Sequence, residues 1–200
     1  MALVIEEEYL PITLTARPMP DEEFAELCAK YPDHFIEMTA EGEIAIKPPN
    51  YPFTSAQSRE ILGQLGDWSR SDRRGLVTDA AGGFVLPSGA RRSPDAAWIP
   101  KDGLRAMDPK QVKQFWYLCP PFVIEAKSTW DRLPKLRQKM QEWIDNGAEL
   151  AWLVDPERRA VEVYRPDKEP GVREGVDSIP ALPPVEGFTL NLAPVWDPFA

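Results

Sequence analysis

Apolar residues recur at every third or fourth position in four segments of the chain, and this spacing predicts amphipathic helices. The second of these segments follows Thr54 and Gln57, which have the spacing of a helix-starting capping box. The predicted helices are 21–30, a segment from Thr54 to Trp68, a segment that starts at Asp108-Pro109, and 133–144, which stops at Asn146-Gly147.

Shorter apolar runs lie between these helices and predict strands. Residues 35–39 and 43–47 alternate apolar and polar positions around a short Gly-containing turn, which is typical of a hairpin. The first eighteen residues look extended and predict either an edge strand or an arm. The other predicted strands are 76–79, 84–86, 91–100, a central strand at 122–126, and a second hairpin formed by 150–155 and 160–165.

The order of these elements indicates the fold class. Helices alternate with strands and hairpins, which predicts an α/β protein with a restriction-endonuclease-like mixed β-sheet flanked by helices. We expect one domain over residues 1–200, with an extended arm at 1–18. From Asp167 the sequence is rich in proline and glycine, which predicts a loosely folded C-terminal segment at 167–200 with one strand at 188–190.

The central strand ends on charged residues. Phe122, Val123 and Ile124 form a buried-type run, followed by Glu125 and Lys127, which alternation places on the same face of the sheet. Charges are seldom buried unless they are paired or bound to something. The ordinary interpretation is that Glu125 and Lys127 pair with each other or with exposed neighbours. Lys139 lies beside the apolar stripe of the last helix, where its side chain would ordinarily extend to solvent.

Composition and charge narrow the function classes. The chain has 200 residues and a net charge of −9, yet Arg91 to Lys139 contains 11 Lys/Arg against 5 Asp/Glu. A basic centre suits a polyanionic substrate, although the same charges would also simply solvate helix faces. Two cysteines and one histidine leave little material for a zinc site, a disulfide scaffold or Ser-His-Asp chemistry. The apolar run at 2–5 is too short for a signal peptide or membrane span, so we expect a soluble cytoplasmic protein.

A second carboxylate precedes the central strand. Asp95 opens the strand at 91–100, and if that strand neighbours the central one, Asp95, Glu125 and Lys127 converge at one sheet edge. Two carboxylates ~4 Å apart repel by about 4 kcal/mol at an effective dielectric of about 20, so such a pair needs a cation to stay ionised. Magnesium is commonly held by one or two carboxylates with water and phosphate oxygens. The convergence would therefore make a magnesium site for phosphodiester hydrolysis, with Lys127 orienting the attacking water or the phosphate.

Three linked stretches carry a resemblance to a known family. SPDAAWIP, PPFVIEAKS and LRQKMQEWIDNGAELAWLVDPERRAVEVYRP resemble the Uma-type restriction endonuclease family of the PD-(D/E)XK nuclease superfamily, and the similarity extends over nearly the whole chain. The resemblance implies that Asp95 and Glu125 ligate the metal together with the carbonyl of Ala126. It also implies a motif lysine at Lys127, a helix lysine at Lys139 and a supporting acid at Glu37.

The two lysines are an informative departure. Many members of the family replace the motif lysine by a non-basic residue and retain the helix lysine, whereas this chain has both Lys127 and Lys139. Intact nuclease chemistry is therefore expected, and which lysine acts stays open.

The predicted function is a magnesium-dependent endonuclease that cleaves DNA, with manganese as a substitute metal. The resemblance implies that cleavage leaves a 5′-phosphate. Arg91, Arg92 and Lys135 are candidate phosphate-binding residues, and a homodimer or higher homo-oligomer is expected. Trp98 and Trp130 flank the motifs and offer base stacking, although core packing is the simpler use of both.

One alternative is a catalytically silent nuclease-fold protein that binds nucleic acid or a partner. The other is a purely structural homo-oligomer.

Overall fold

The computed structural model describes residues 11–105 and 107–199. Residues 1–10 of the predicted arm lie outside this range. The helices are α1 (Asp21–Lys30), α2 (Pro52–Asp72), α3 (Lys101–Arg105), α4 (Leu133–Asp145) and α5 (Ala193–Trp196). The strands are β1 (Ile12–Thr15), β2 (Phe35–Met38), β3 (Glu43–Lys47), β4 (Gly75–Asp79), β5 (Phe84–Val85), β6 (Arg91–Arg92), β7 (Ala96–Pro100), β8 (Phe122–Ala126), β9 (Leu150–Asp155), β10 (Ala160–Arg165), β11 (Lys168–Glu174), β12 (Ser178–Pro180) and β13 (Thr189–Asn191).

The central strand β8 organises a six-stranded mixed sheet in the order β11-β10-β9-β8-β7-β4. It runs antiparallel to β7 and parallel to β9. Every residue of β8 is buried, because Phe122 and Ile124 pack with α2 on one face and Val123 packs with α4 on the other. A strand covered on both faces needs the continuous apolar run that the sequence has. The predicted mixed sheet flanked by helices is confirmed.

The first predicted hairpin is confirmed and belongs to a second sheet, in the order β1-β3-β2-β6-β5. Its apolar side chains form a separate cluster with α1, made of Phe24, Leu27, Ile36, Met38, Ile44 and Ile46. β1 pairs antiparallel with β3, so residues 12–15 form an edge strand, one of the two alternatives for this segment. Because side chains alternate along a strand, Glu37 lies on the face opposite Ile36 and Met38.

Two helix predictions differ from the structure: the second helix has another start signal, and the helix after Asp108 is absent. The second helix begins at Pro52 with Tyr51 as its N-cap, so Thr54 and Gln57 are not a capping box. A proline at the first position is a competing start signal, and Gln57 instead donates a hydrogen bond to the carbonyl of Val195 at 2.9 Å. After Asp108 there is only a single 3₁₀ turn, 111–113.

The backbone of Trp116 explains the missing helix. Its N–H donates to the carbonyl of Gly83 at 3.3 Å, and its carbonyl accepts from Val85 at 2.9 Å. The segment around Trp116 therefore runs alongside β5, and these strand-type hydrogen bonds replace the helical ones. The short helix α3 was not predicted.

The C-terminal segment is not loosely folded. β11 pairs antiparallel with β10, β12 pairs antiparallel with β13, and the predicted strand at 188–190 is shifted to 189–191. Apolar residues of this segment cover the α2 face of the large sheet, so its prolines and glycines mark turns between packed elements. The buried members are Ile179, Val185, Phe188, Leu190, Leu192 and Val195. That residues 1–200 form one domain stays a prediction.

Within the ranges that the structure describes, no helix is both long and apolar enough to cross a membrane.

Gly75 gives a test of the packing between β4 and β7. A Cβ atom added at Gly75 would overlap the buried indole ring of Trp98. We expect Gly75→Ala to lower the free energy of unfolding by about 1–3 kcal/mol, as overpacking does. The control is Gly103→Ala in α3, where an added Cβ meets nothing within 4 Å. That control should be neutral or stabilising by up to about 1 kcal/mol, because alanine is the better helix former. Urea unfolding of both variants gives the two values, and equal effects would contradict the packing argument.

Candidate active site

Strand pairing brings the two predicted carboxylates together. Ala96 of β7 is paired with Ile124 of β8, so Asp95, one residue before β7, lies beside Glu125. The carboxylate of Asp95 accepts a hydrogen bond from the backbone N–H of Ala126, with its Oδ2 atom 2.7 Å from the nitrogen. The convergence expected at this edge of the sheet is therefore present for both acids.

Lys139 of α4 places a buried cation between two acids. Its Nζ atom lies 2.7 Å from Oε1 of Glu125 and 2.8 Å from Oε1 of Glu37. The Lys139 side chain is only 10% exposed, so the ordinary interpretation, a side chain that extends to solvent, does not hold. One helical turn further, Trp143 donates its indole N–H to the same Oε1 of Glu125 at 2.9 Å. Helix α4 thus fixes Glu125 from two positions on one face.

Glu37 has its own set of donors on the hairpin side. Its Oε1 atom accepts the backbone N–H of Ser93 at 2.9 Å, and the guanidinium of Arg92 lies 3.5 Å from Oε2. Arg92 in turn donates to Glu142 of α4 at 2.5 Å. The acid, the arginine and the helix therefore form a connected polar network across the space between the two sheets.

These contacts shift the acids in opposite directions. Burial favours the neutral form of Glu37, but the cations Lys139, Arg92 and Lys47 outweigh it and lower its pKa to about 2. Burial raises the pKa of Glu125 to about 7, and the negative charges of Asp95 and Glu37 add to this while Lys139 opposes it. The pKa of Asp95 is also raised by burial, against the hydrogen bond from Ala126. The negative charge on the Asp95–Glu125 pair is therefore incompletely compensated.

Lys139 itself stays protonated. Burial alone would lower its pKa, but Glu125 and Glu37 hold that pKa above its usual range. The ammonium group is thus a fixed positive charge at this site.

Lys127 does not join these groups. It follows the last residue of β8, and its Nζ atom lies 2.8 Å from a carboxylate oxygen of Glu157 in the turn between β9 and β10. That hydrogen bond is the main reason that its pKa is raised. The alternation that would align Lys127 with Glu125 ends with the strand, so its ammonium has taken another partner. Its catalytic role stays a prediction.

The candidate phosphate-binding residues have different environments. Arg91 is buried against Asp21 and donates to the carbonyl of Met19 at 2.8 Å. Arg92 is engaged by Glu37 and Glu142 as described above. Lys135 is largely exposed and pairs with Glu43 at 2.7 Å. Of the three, Lys135 is the one that offers an accessible charge, and phosphate binding by all three stays a prediction.

A cleft of about 350 Å³ lies between the first hairpin and the large sheet, and it is lined by Glu37, Asp95, Glu125 and Lys139. Sequence analysis missed Lys47 and Asp131, which both line the cleft and form an ion pair of 2.5 Å. Asp131 is held by the backbone N–H of Ser128 at 2.9 Å and by the Ser128 hydroxyl at 2.7 Å. Alternation along β3 was the available signal, because it places Lys47 on the same face of the hairpin as Glu37.

The sequence of this chain matches a known family. The family described as "Uma2: Putative restriction endonuclease" matches residues 21–193. The chain belongs to the Uma2 family. The Uma2 match covers Glu37, Asp95, Glu125 and Lys139, so the whole cluster lies within the family region. No curated protein matches the chain.

Solved structures give a further comparison for this Uma2 chain. A crystal structure described as a "putative nuclease belonging to DUF820 from Anabaena variabilis ATCC 29413" is similar with a TM-score of 0.74 and 20% identity, covering 90% of this chain and 98% of that chain. This likeness shows a shared fold. The DrdV–DNA complex is similar over 61% of this chain and 12% of that chain, with a TM-score of 0.37 and 11% identity, and that level of similarity supports no structural argument.

The donor set in the Uma2 chain suits a hard divalent cation. Across 11–105 and 107–199, no three His, Cys, Asp or Glu side chains are grouped to hold a metal. The available oxygen donors are the carboxylates of Asp95 and Glu125 with the carbonyl of Ala126, and magnesium commonly uses one or two carboxylates with water. Burial is the main cause that raises the pKa of both acids, and a divalent cation would favour their ionised forms. The residues therefore fit magnesium.

Glu125 should make the metal-free protein less stable as the pH rises from 4.5 to about 7. Its pKa is about 7 in the folded state against an ordinary value of 4.5. Between these values the folded state holds a proton that the unfolded state has released, so the free energy of unfolding falls as the pH rises. One group contributes a slope of at most about 1.4 kcal/mol per pH unit.

Urea unfolding of the wild type and of Glu125→Gln in a chelating buffer measures this effect. Glutamine keeps an oxygen acceptor for Trp143 and does not titrate, so the difference between the two curves isolates Glu125. A difference that is flat from pH 4.5 to 7 would contradict the raised pKa.

Proposed function

We propose that this Uma2 chain is a metal-dependent endonuclease that hydrolyses phosphodiester bonds of DNA. The observation that supports this most directly is the convergence of Asp95, Glu125 and the buried ammonium of Lys139 in one cleft. The two acids would hold a metal ion and the ammonium adds a second positive charge, and both cations would offset the negative charge that increases on the phosphate in the transition state.

Asp95, Glu125 and the carbonyl of Ala126 would hold Mg²⁺, with Mn²⁺ as a substitute. When bound, the ion supplies Lewis acidity toward the phosphodiester and the attacking water. Hydrogen bonds and an ion pair already hold both carboxylates in place without the ion. The Ala126 N–H fixes one oxygen of Asp95, and Trp143 with Lys139 fixes one oxygen of Glu125. Ligands held in this way pay less ordering entropy when the ion binds.

Lys139 is the amine that we propose to act at the phosphate. Because its pKa is raised, it remains a cation and acts as a positive charge and hydrogen-bond donor rather than as a base. Glu37 supports this role, since its carboxylate is ionised and lies 2.8 Å from the same ammonium. Lys127 would first have to leave Glu157 before it could act at the phosphate. Because the Glu157 side chain is exposed and exposed ion pairs are weak, that separation would cost little free energy.

DNA as substrate and a homodimer as the assembly are parts of the same proposal. A two-fold dimer would supply two such sites, one on each protomer.

Plasmid cleavage tests the function. Purified protein with magnesium or manganese should nick supercoiled plasmid, and Asp95→Asn and Glu125→Gln should each abolish nicking, since neither amide supplies the anionic oxygen that the metal requires. Calorimetry with magnesium alone should show a binding event that both variants lose. Nicking that persists in both variants would place the chemistry elsewhere. Carboxylate-dependent metal binding without any cleavage, under conditions where the protein still binds DNA, would support the catalytically silent alternative.

The two lysines should differ in the same assay. Lys139→Met should slow cleavage by at least roughly 100-fold, the scale of a positioned catalytic group, whereas Lys127→Met should slow it by much less. Lys139→Arg keeps the charge and tests whether rescue is possible. Because Lys139→Met leaves two buried acids without their cation, circular dichroism must first show that this variant is folded. A larger loss in Lys127→Met than in folded Lys139→Met would reverse the proposed roles.

A further inference from the structure

Two aromatic rings lie on the chain segments that border the cleft. The rings of Tyr51 and Trp130 have centroids 5.1 Å apart and are inclined at 33°. Tyr51 is 54% exposed although it contacts Trp130, so much of its ring surface faces solvent. An apolar ring that is left this accessible is available to a planar ligand.

The chain segments that carry the two rings are the ones that border the catalytic cleft. Pro48 and Asn50 line the cleft just before Tyr51, and Ser128 and Asp131 line it on either side of Trp130. The ion pair between Lys47 and Asp131 joins the same two segments. The aromatic pair is therefore next in sequence to residues that line the cleft containing Asp95 and Glu125.

A cation accompanies the rings. The Lys47 side chain is about one-third exposed, and its charge contributes to lowering the pKa of Glu37 and opposes the raised pKa of Asp95. It thus lies close enough to the acids to act on them electrostatically while remaining reachable from solvent. A backbone phosphate approaching the cleft would meet this ammonium group, in competition with Asp131.

We propose that Tyr51, Trp130 and Lys47 form a binding site for an unpaired nucleotide, so that single-stranded DNA is the preferred substrate class. The base stacks on the exposed surface of Tyr51, Lys47 contacts the phosphate, and the adjoining phosphodiester enters the cleft. A single strand has free base faces, whereas the bases of a duplex are already stacked and paired. Stacking on an aromatic ring accepts any base, so this site adds strand preference without sequence preference.

The inference rests on the proposed nuclease function for its biological meaning, but binding tests it separately. The probe is a fluorescent oligodeoxynucleotide of roughly 15 nucleotides, which spans at least one such site. It is offered single-stranded or as a blunt duplex to the Asp95→Asn protein, which should bind without cutting. Anisotropy gives both dissociation constants at a fixed salt concentration, because phosphate contacts make them salt-dependent.

Adding Tyr51→Ala should weaken single-strand binding by roughly 5- to 100-fold, the effect of losing one stacked base, and should leave duplex binding nearly unchanged. Tyr51→Phe keeps the ring and should restore affinity. Phe53→Ala is the matched control, because Phe53 is an exposed aromatic two residues away that packs on Phe199 instead. It should bind both probes as Asp95→Asn does.

Equal losses on single strand and duplex, or no loss on either, would overturn the inference and reduce the Tyr51–Trp130 contact to packing. Absence of single-strand binding in the Asp95→Asn protein would overturn it as well. The proposed function is judged independently by wild-type plasmid cleavage. Cleavage with Tyr51-independent binding rejects only the stacking site, and Tyr51-dependent binding without cleavage rejects only the nuclease.

Discussion

The burial of one ammonium group between two carboxylates is the constraint around which the rest of the site is arranged. Lys139 reaches Glu37 on the hairpin and Glu125 on the central strand, so a single side chain connects α4 with both sheets. Removing one member of such a buried set typically costs 3–5 kcal/mol, because the remaining charges lose their partner inside the protein. The three residues therefore depend on one another, and the hairpin is held in place by the same charge that we propose to act at the phosphate.

Further ion pairs extend this connection along one helix face. Lys135, Lys139 and Glu142 are spaced by four and three residues on α4, and they bind Glu43, Glu37 and Arg92 respectively. The outer pair with Lys135 is exposed and should contribute little, whereas the inner contacts are largely shielded from water. The polar stripe of α4 thus faces the hairpin, while Leu136, Met140 and Trp143 pack on the large sheet. Two stripes of α4 therefore contact other elements, one apolar and one polar, which explains the mixed composition of the helix.

The sequence contained most of this site, because the decisive residues lie on regular elements. Asp95 and Glu125 meet through strand pairing, and the continuous apolar run of β8 already indicated a strand covered on both faces. The prediction that Lys127 lies with the two acids failed, because alternation holds only within the strand and β8 ends at Ala126. The missing helix after Asp108 had the right local signals, but the backbone of Trp116 pairs with β5 instead. Local patterns therefore identified elements, and they failed where a long-range hydrogen bond competed.

The electrostatics of the site fit the metal-binding role that we propose better than they fit stability alone. Glu37 is fully compensated and its pKa is about 2, whereas Glu125 shares the same lysine and its pKa is about 7. A protein selected only for stability would avoid placing Asp95 next to Glu125, since each opposes ionisation of the other. Violations of this kind concentrate where function requires them. One ammonium group thus contacts two acids with very different pKa values, which suits them to different roles. Glu37 anchors the cation, whereas Glu125 and Asp95 hold their protons more readily, and a bound cation would favour their ionised forms.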